Sequence, residues 1–390
     1  MAAPIARFWR KKAILLKTEA VYGTDAVPTG GANAVEVRNV TFTPMQNNMA
    51  DQNLEQPNFG AQAQIPVGTG VQLKLDVAVA GSGTAGVAPA WAPIIRACGF
   101  AESVLPVALA GFAEDGDTNA IMLAADASTD DDAYKNMRVI FTGGTGAGAE
   151  ARIAGYDGAT RTATLAGTPD VAADDTTEYL IPAQTVYAPV SAGFESCTIY
   201  VNIDGVQHRM LGCRGNIDVA LQGAGIPVFT VTMTGLYGGI TDAAAPATTL
   251  SAWPLPQPFN TAHSGRFSLH GFTTNLYEIH FTGGISVVHR QDVIGVEDVV
   301  ITDRQSGGDI TIQAPLIAEK DFFTAAQEVE LGGLFIQHSF TDGKIVSFDC
   351  PRVQVTDPAY DNKDNVTTLK MGLRVIPTDA GNDELVITVR

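Results

Sequence analysis

The sequence predicts a mainly β protein made of two related halves, with a smaller β-domain inserted into the first. Three observations lead to this prediction. The chain of 390 residues contains 40 glycines and 20 prolines between many short runs of Val, Thr and Ile, which is typical of strands joined by turns. Apolar and polar residues alternate from Val71 to Val77, as in a strand with one face in solvent. Several features also recur in the same order along the chain.

The composition is that of a folded, acidic protein. Hydrophobic residues make up 45% of the chain and charged residues 17%, so the chain can bury a core. Its 24 basic and 42 acidic residues leave a net charge of −18, which repels nucleic acid and anionic membranes. The longest apolar run near the N-terminus, from Ala13 to Leu16, is too short for a signal sequence or a membrane span. We therefore expect no membrane partner.

The glycines at 81–86 have the G-x-G-x-x-G spacing of a dinucleotide-binding loop, but their surroundings argue against that function. The first strand of such a fold is buried on both faces and continuously apolar, whereas 71–77 alternates. Pro93 allows only a short helix, at 93–100, because proline is tolerated at the first helical position. We predict that the glycines form a flexible connection between a half-exposed strand and this helix.

No catalytic motif stands out elsewhere. The sequence contains no G-x-S-x-G, H-E-x-x-H or P-loop motif, and the glycine-rich stretch 142–150 lacks the lysine that would reach a phosphate. His280 and His289 flank the Gly-Gly turn of a predicted hairpin at 275–290, where we expect a solvated or interface role rather than metal binding. We therefore predict no catalytic, cofactor-binding or metal-binding residue, and no enzyme activity.

The cysteine pattern favours reduced thiols. The four cysteines are Cys98, Cys197, Cys213 and Cys350. They are far apart and form no C-x-x-C pair, as expected for buried, apolar cysteines in a protein that is assembled in a cytosol.

Two segments begin with an Asp-Gly turn signal and lead through a predicted strand to a cysteine. DGVQHRMLGCRGNIDV (204–219) reaches Cys213, and DGKIVSFDCPRVQV (342–355) reaches Cys350. Each cysteine is followed, 20 and 21 residues later, by a methionine in a strand-like segment. These segments are VFTVTMTGL (228–236) with Met233 and VTTLKMGL (366–373) with Met371.

The matched segments are preceded in both places by a strand and a short amphipathic helix. The first strand and helix lie at 71–80 and 90–100, and the second pair lies within 307–330. A long hairpin or arm precedes each strand, at 34–70 and at 276–303. Because the same order of elements occurs twice at similar spacing, we predict a duplication.

The predicted first half comprises 1–111 with 185–245, and the second half comprises 246–390. The insert, 112–184, interrupts the first half. It contains 13 acidic and 4 basic residues, which account for half of the net charge, and its short strands include a hairpin with a Tyr-Asp-Gly turn. The segment 182–193 is predicted to be a linker back to the first half. We expect the insert to lie on the outside, because surface loops tolerate insertions.

Three segments carry a resemblance to phage structural proteins. ILLKTEAVYGTDAVPTGGANAVEV (14–37) and VAGSGTAGVAPAWAPIIRACGF (79–100) resemble the tail tube, or major tail, proteins of phages with long non-contractile tails. The segment 133–167 is similar to a small β-module that recurs in phage structural proteins. The resemblance is strong over 1–105 and rests on architecture in the remainder.

The resemblance implies a β-sandwich with a flanking helix in each half. In this family six such folds close into a ring whose inner sheets form a continuous barrel, and rings stack into a tube that conducts double-stranded DNA. A chain with two folds then implies a ring of three chains with pseudo-sixfold symmetry. Tape measure, tail terminator and baseplate proteins are the implied partners, DNA is non-specific cargo in the lumen, and assembly is expected in the bacterial cytoplasm.

The polar segment 44–70, called the arm below, is a candidate for reaching from one ring to the next, and a mobile surface loop is the alternative. A second function also stays open, that of a β-sandwich receptor-binding or baseplate component. Aromatic residues make up only 7% of the chain and include three tryptophans, so the sequence offers no visible aromatic platform for such binding.

Overall fold

The computed structural model describes residues 6–166, 172–292 and 294–390. The chain is 52% strand and 4% helix, which confirms the prediction of a mainly β fold. The three helices are short, and the strands form one sheet of 16, one of 7 and one of 2 strands.

The first half contains two of the helices and most of its strands are long. Its elements are β1 (Lys12–Thr18), α1 (Gly30–Asn33), β2 (Ala34–Val35), β3 (Arg38–Asp51), β4 (Gln64–Ala78), α2 (Ala92–Ala97) and β5 (Phe100–Leu105). The seven-stranded sheet follows and begins three residues before the predicted insert, 112–184. It contains β6 (Leu109–Phe112), β7 (Asp115–Gly116), β8 (Ala120–Met122), β9 (Arg138–Gly143), β10 (Glu150–Asp157), β11 (Thr162–Ala166) and β12 (Glu178–Ile181). The first half resumes with β13 (Gln184–Pro189), β14 (Cys197–Ile203), β15 (Val206–Gln222) and β16 (Val228–Asp242).

The second half contains one helix. Its elements are β17 (Ser264–Leu269), β18 (Leu276–Thr282), β19 (Ile285–Gln291), β20 (Glu297–Arg304), β21 (Gly307–Gln313), α3 (Phe322–Gln327), β22 (Leu331–His338), β23 (Val346–Lys363), β24 (Val366–Ile376) and β25 (Val386–Val389). The α3 helix begins at Asp321, whose carboxylate accepts from the backbone N–H groups of Phe323 and Thr324, both at 3.0 Å.

The two halves pair their strands in the same antiparallel order. In the first half the order is β1-β14-β15-β16-β4, and in the second half it is β17-β22-β23-β24-β21. Each last-named strand precedes a short helix, α2 or α3. Met233 lies on β16 opposite Leu73, and Met371 lies on β24 opposite Ile310. The recurring sequence features therefore occupy corresponding strands.

One apolar core extends through both halves. The alternating strand β4 buries Leu73, Leu75 and Val77, which confirms the predicted period of two. The same cluster contains Ile95 of α2 and Phe322 of α3, so both helices cover this face of the sheet. Aromatic rings join the halves inside this core, with the ring of Phe229 edge-on to that of Phe348 at 6.4 Å between centroids.

Two sequence predictions were wrong in detail. The segment 182–193 is not a linker, because 184–189 forms the largely buried strand β13, which pairs with β5 and with β25 at the end of the chain. The predicted hairpin at 275–290 does not form either. β18 pairs with β15 and β21 instead, whereas β19 pairs with β20 in a separate two-stranded sheet. The Gly-Gly pair is the point where the chain leaves the main sheet.

The glycines at 81–86 join β4 to α2, as predicted, but they also form a close contact with the second half. The Gly83 N–H donates to the Gly343 carbonyl at 2.8 Å. A Cβ on Gly343 would lie 2.5 Å from the Gly83 carbonyl carbon, and Gly343 has φ of +81°. The glycines whose spacing resembles a nucleotide-binding loop therefore allow the backbones of the two halves to pack closely.

We predict that Gly343→Ala destabilises the fold by about 2 kcal/mol, because the new Cβ meets backbone atoms and the left-handed conformation is strained. Gly31→Ala is the matched control, because no atom lies within 4 Å of its added Cβ. Urea unfolding of both variants at one chain concentration measures the difference. Equal midpoints for the two variants would contradict the proposed role of this contact.

Candidate assembly interface

The 16-stranded sheet has a polar face opposite the helices. Residues directly opposite each other in antiparallel strands share a face, and one such row joins Asp76, Thr230, Asp218 and Thr282 across four strands. Thr230 donates to Asp76 at 2.8 Å, and Thr282 donates to Asp218 at 2.7 Å. This row is a hydrogen-bonded ladder that crosses from the first half to the second.

Charges of both signs lie on this polar face. Its carboxylates include Asp76, Asp218, Glu278 and Asp309, and its basic side chains include Lys74, Lys370 and Arg374. Threonines of β16 lie between these acidic and basic side chains. The face is therefore not the basic surface that would neutralise many phosphates and release counterions.

The two halves meet through backbone pairing of β15 with β18. Residues Asp218 to Gln222 lie opposite Thr282 to Glu278 in antiparallel register. On the core side of this junction Val219 lies opposite Phe281, and both are buried. The junction combines a hydrogen-bonded ladder with apolar burial, as an interior sheet contact does.

Two strands leave open edges at the opposite ends of this sheet. Within the part of the chain that the structure describes, β3 pairs with β4 alone. The last residues of β23, Ala359 to Lys363, pair with β24 and with no second strand. The corresponding part of β15 is paired on both sides, with β16 and with β18. An open edge is a template for another strand.

The arm is the distal part of the β3–β4 hairpin and is largely exposed. Its strands remain paired from Gln46 with Gly70 to Asp51 with Gln64, with one register shift between Asn48 and Met49. Six large apolar side chains of the arm are exposed: Met45, Met49, Leu54, Phe59, Ile65 and Val67. Such a row of apolar residues on one extended element marks an interaction surface.

The second half has a shorter hairpin, β19–β20, that is folded onto the first half. The Tyr22 hydroxyl accepts from the Val299 N–H at 2.5 Å, and Arg214 donates to the Val299 carbonyl at 2.7 Å. His289 lies against Gly70 and forms a 2.9 Å contact with Glu297. The solvated or interface role that we expected for His289 stays a prediction.

The insert is tied to the second half by buried ion pairs. Arg138 contacts Glu150 at 3.1 Å and Asp349 at 2.7 Å, and its guanidinium lies over the Phe335 ring. Arg152, only 2% exposed, lies 3.4 Å from Asp383. The seven-stranded sheet of the insert runs from Leu109 to Ile181 and shares an apolar cluster with Val386 of β25. The insert is therefore packed against the body of the protein.

Glu150 is the centre of this cluster. It contacts Arg138, Arg390 at 3.0 Å and Arg266. Burial alone would raise the pKa of Glu150, but the charges of Arg138, Arg390 and Arg266 hold the pKa below its ordinary value. The ionised form is therefore stabilised in the folded chain, and this stabilisation is lost as the pH falls through the depressed pKa.

The described residues contain no candidate metal site. No group of three or more His, Cys, Asp or Glu side chains among them could hold a metal ion. The four cysteines are free and buried, and burial raises the pKa of the Cys98, Cys197 and Cys350 thiols. In the same residues no helix is long and apolar enough to cross a bilayer. A groove of about 780 Å³ between the insert and the second half is lined by the paired charges already described.

Comparison with known proteins agrees with this architecture. A family model described as phage tail tube protein matches residues 9–360. No curated protein matches the sequence.

We predict that Arg138→Ala destabilises the fold by about 3 kcal/mol, because it leaves two buried carboxylates with fewer partners. Lys135→Ala is the matched control, since Lys135 forms only an exposed pair with Asp132, at 2.9 Å. That change should cost less than about 0.5 kcal/mol. Chemical unfolding of both variants tests the prediction, and similar losses would show that the buried cluster does not anchor the insert.

Proposed function

The chain belongs to the phage tail tube protein family, and on this premise we propose that it is a structural, non-catalytic component of a long non-contractile tail. In this proposal the chain polymerises into stacked rings, and double-stranded DNA passes through their lumen during ejection. Assembly takes place in the cytoplasm of the bacterial host, where the tape measure, tail terminator and baseplate proteins are the further partners.

The pairing of β15 with β18 is the observation that carries the proposal for the ring. It joins two halves that have the same strand order, so it is a template for the contact between one chain and the next. Repeating this contact from the second half of one chain to the first half of its neighbour closes a ring without open edges. If a ring needs six folds, three chains supply them.

The internal correspondence also gives the register of the contact between chains. Asp218 lies opposite Thr230, which is three residues before Met233. Asp361 lies opposite Thr368, which is three residues before Met371, so Asp361 corresponds to Asp218. Gly307 of β21 and Gly70 of β4 occupy corresponding positions. Thr282 lies opposite Gly307 and Gln46 lies opposite Gly70, so Gln46 corresponds to Thr282. Because Asp218 pairs with Thr282, we propose that Asp361 pairs with Gln46 of the neighbouring chain.

The polar face of the sheet, apart from its end at Gly307 and Arg374, is proposed to line the lumen. The other face is covered by α2 and α3 and belongs to the core, so only the polar face is available to the channel. Its mixed charges suit a wall along which DNA slides, because a basic wall would bind phosphates and hold the genome in place. The insert, with half of the net charge, then lies on the outside.

Stacking of rings is assigned to the exposed tip of the arm. The tip, 52–63, has no strand partner and contains the fully exposed Phe59. Head-to-tail contacts of this kind do not close on themselves and therefore generate a filament. The apolar tip supplies surface whose burial against the next ring favours stacking.

We predict that end-on views of assembled rings show three outer projections, one for each insert. Electron-microscopy class averages measure this directly, and mass measurement of single rings provides the chain count. Six equal projections would contradict the proposal that one chain supplies two folds.

We predict that Gln46→Cys combined with Asp361→Cys gives disulfide-linked dimers and closed trimers under mild oxidation. The control is Gln46→Cys with Lys370→Cys, because Lys370 lies one strand further from the junction on β24. It should crosslink at least about tenfold less, since disulfides require Cα atoms within roughly 7 Å. Equal crosslinking of both pairs would reject the register, and products of up to six chains would reject the three-chain ring.

A further inference from the structure

We propose that the paired strands of the arm, below the tip that is assigned to stacking, dock laterally within the same ring into a groove on the second half of the neighbouring chain. The groove has a volume of about 610 Å³ and is lined by Gly307, Thr356, Arg374, Ile376 and Asn382, among others. This inference rests on the proposed ring and names the surface that receives the arm.

The hairpin β19–β20 provides the internal model for this docking. The arm and the hairpin extend from corresponding points of the sheet. The arm extends after Gln46 and returns before Gly70. The hairpin extends after Thr282 and returns before Gly307. The hairpin turns back across the first half, where His289 covers Gly70. The base of the arm contacts this hairpin, because Gln291 lies against Gly68 and Asn48, whereas the rest of the arm is largely exposed.

The groove is the counterpart of the surface that the hairpin covers. Gly70 lies opposite Leu236 in the first half, and Gly307 lies opposite Arg374 in the second half. His289 fills the space next to Gly70, whereas the space next to Gly307 is part of the open groove. A ring that repeats the internal contact brings the neighbour's arm to this groove.

The chemistry of the two surfaces is complementary. The arm contains no basic residue and carries two carboxylates, Asp51 and Glu55. The groove contains Arg304 and Arg374, and only Arg304 has an ion pair, with Glu384, among the described residues. Ile376 and Pro377 add apolar surface that suits the exposed methionines of the arm. By the correspondence with β19, position 53 of the arm matches His289, and Asp51 is the carboxylate of β3 two residues before it, so we place Asp51 against Arg374.

The first test is a disulfide between arm and groove, in a chain that carries Asp51→Cys and Arg374→Cys. Lateral docking gives dimers and trimers and no larger product, because the links close within one ring. A ladder that extends beyond one ring would show that the arm reaches a stacked ring and would overturn lateral docking. Tubes that form without any crosslink would overturn it as well.

The second test exchanges the charges. Arg374→Glu should raise the chain concentration needed for assembly at least about fivefold, because it places like charges together. Asp51→Arg should do the same, and the double variant should restore assembly. Lys370→Glu is the control, because it makes the same charge change on the same strand outside the groove. Absence of rescue with an unaffected control would reject the pairing.

The outcomes separate this inference from the proposed function. If the wild-type chain forms no rings, the proposed function fails. If rings form and tolerate Arg374→Glu as well as Lys370→Glu, only the docking of the arm fails.

Discussion

The structure depends on one long strand that changes neighbours along its length. β15 pairs with β14 over its first residues and with β18 over its last, while β16 follows it on the other side. The first pairing builds the sandwich of the first half, and the second joins that half to the next. An interior strand must satisfy its backbone groups on both sides. The same arrangement leaves the last residues of β23 and one edge of β3 with a partner on one side only.

Much of this fold could be predicted from local sequence patterns. The alternation in β4, the short helix after it and the hairpin β10–β11 all follow from residues that are close in the chain. The contacts of the insert could not be predicted in this way. Arg138 and Asp349 are separated by 211 positions, and nothing near either residue indicates the other. The buried strand β13 was missed because its apolar run contains prolines and small residues that are typical of linkers.

The arm could be predicted as an extended element, but its geometry needed the structure. The sequence identifies the arm as an extended polar element, and a second arm at 276–303 follows from the repeat. Sequence does not show that one of them folds back. Gly283 and Gly284 allow this turn, since a Cβ on Gly283 would lie 2.6 Å from the Ile217 carbonyl and Gly284 has φ of +59°. At the corresponding point of the arm stand Asn47 and Asn48, and there β3 stays paired with β4 instead.

Joining two tube folds in one chain changes the energetics of ring closure. Each association between separate chains loses translational and rotational freedom, which costs several kcal/mol. A covalent link between the two halves makes this loss of freedom smaller, because it holds the halves at a high effective concentration. Half of the contacts in a ring of three chains are then formed during folding, with the shared core and the Gly83–Gly343 contact already in place. The halves are also free to differ. One carries a free arm and an insert, and the other carries a hairpin that is docked within the chain. In the proposed ring, the interface between chains is therefore the weaker step.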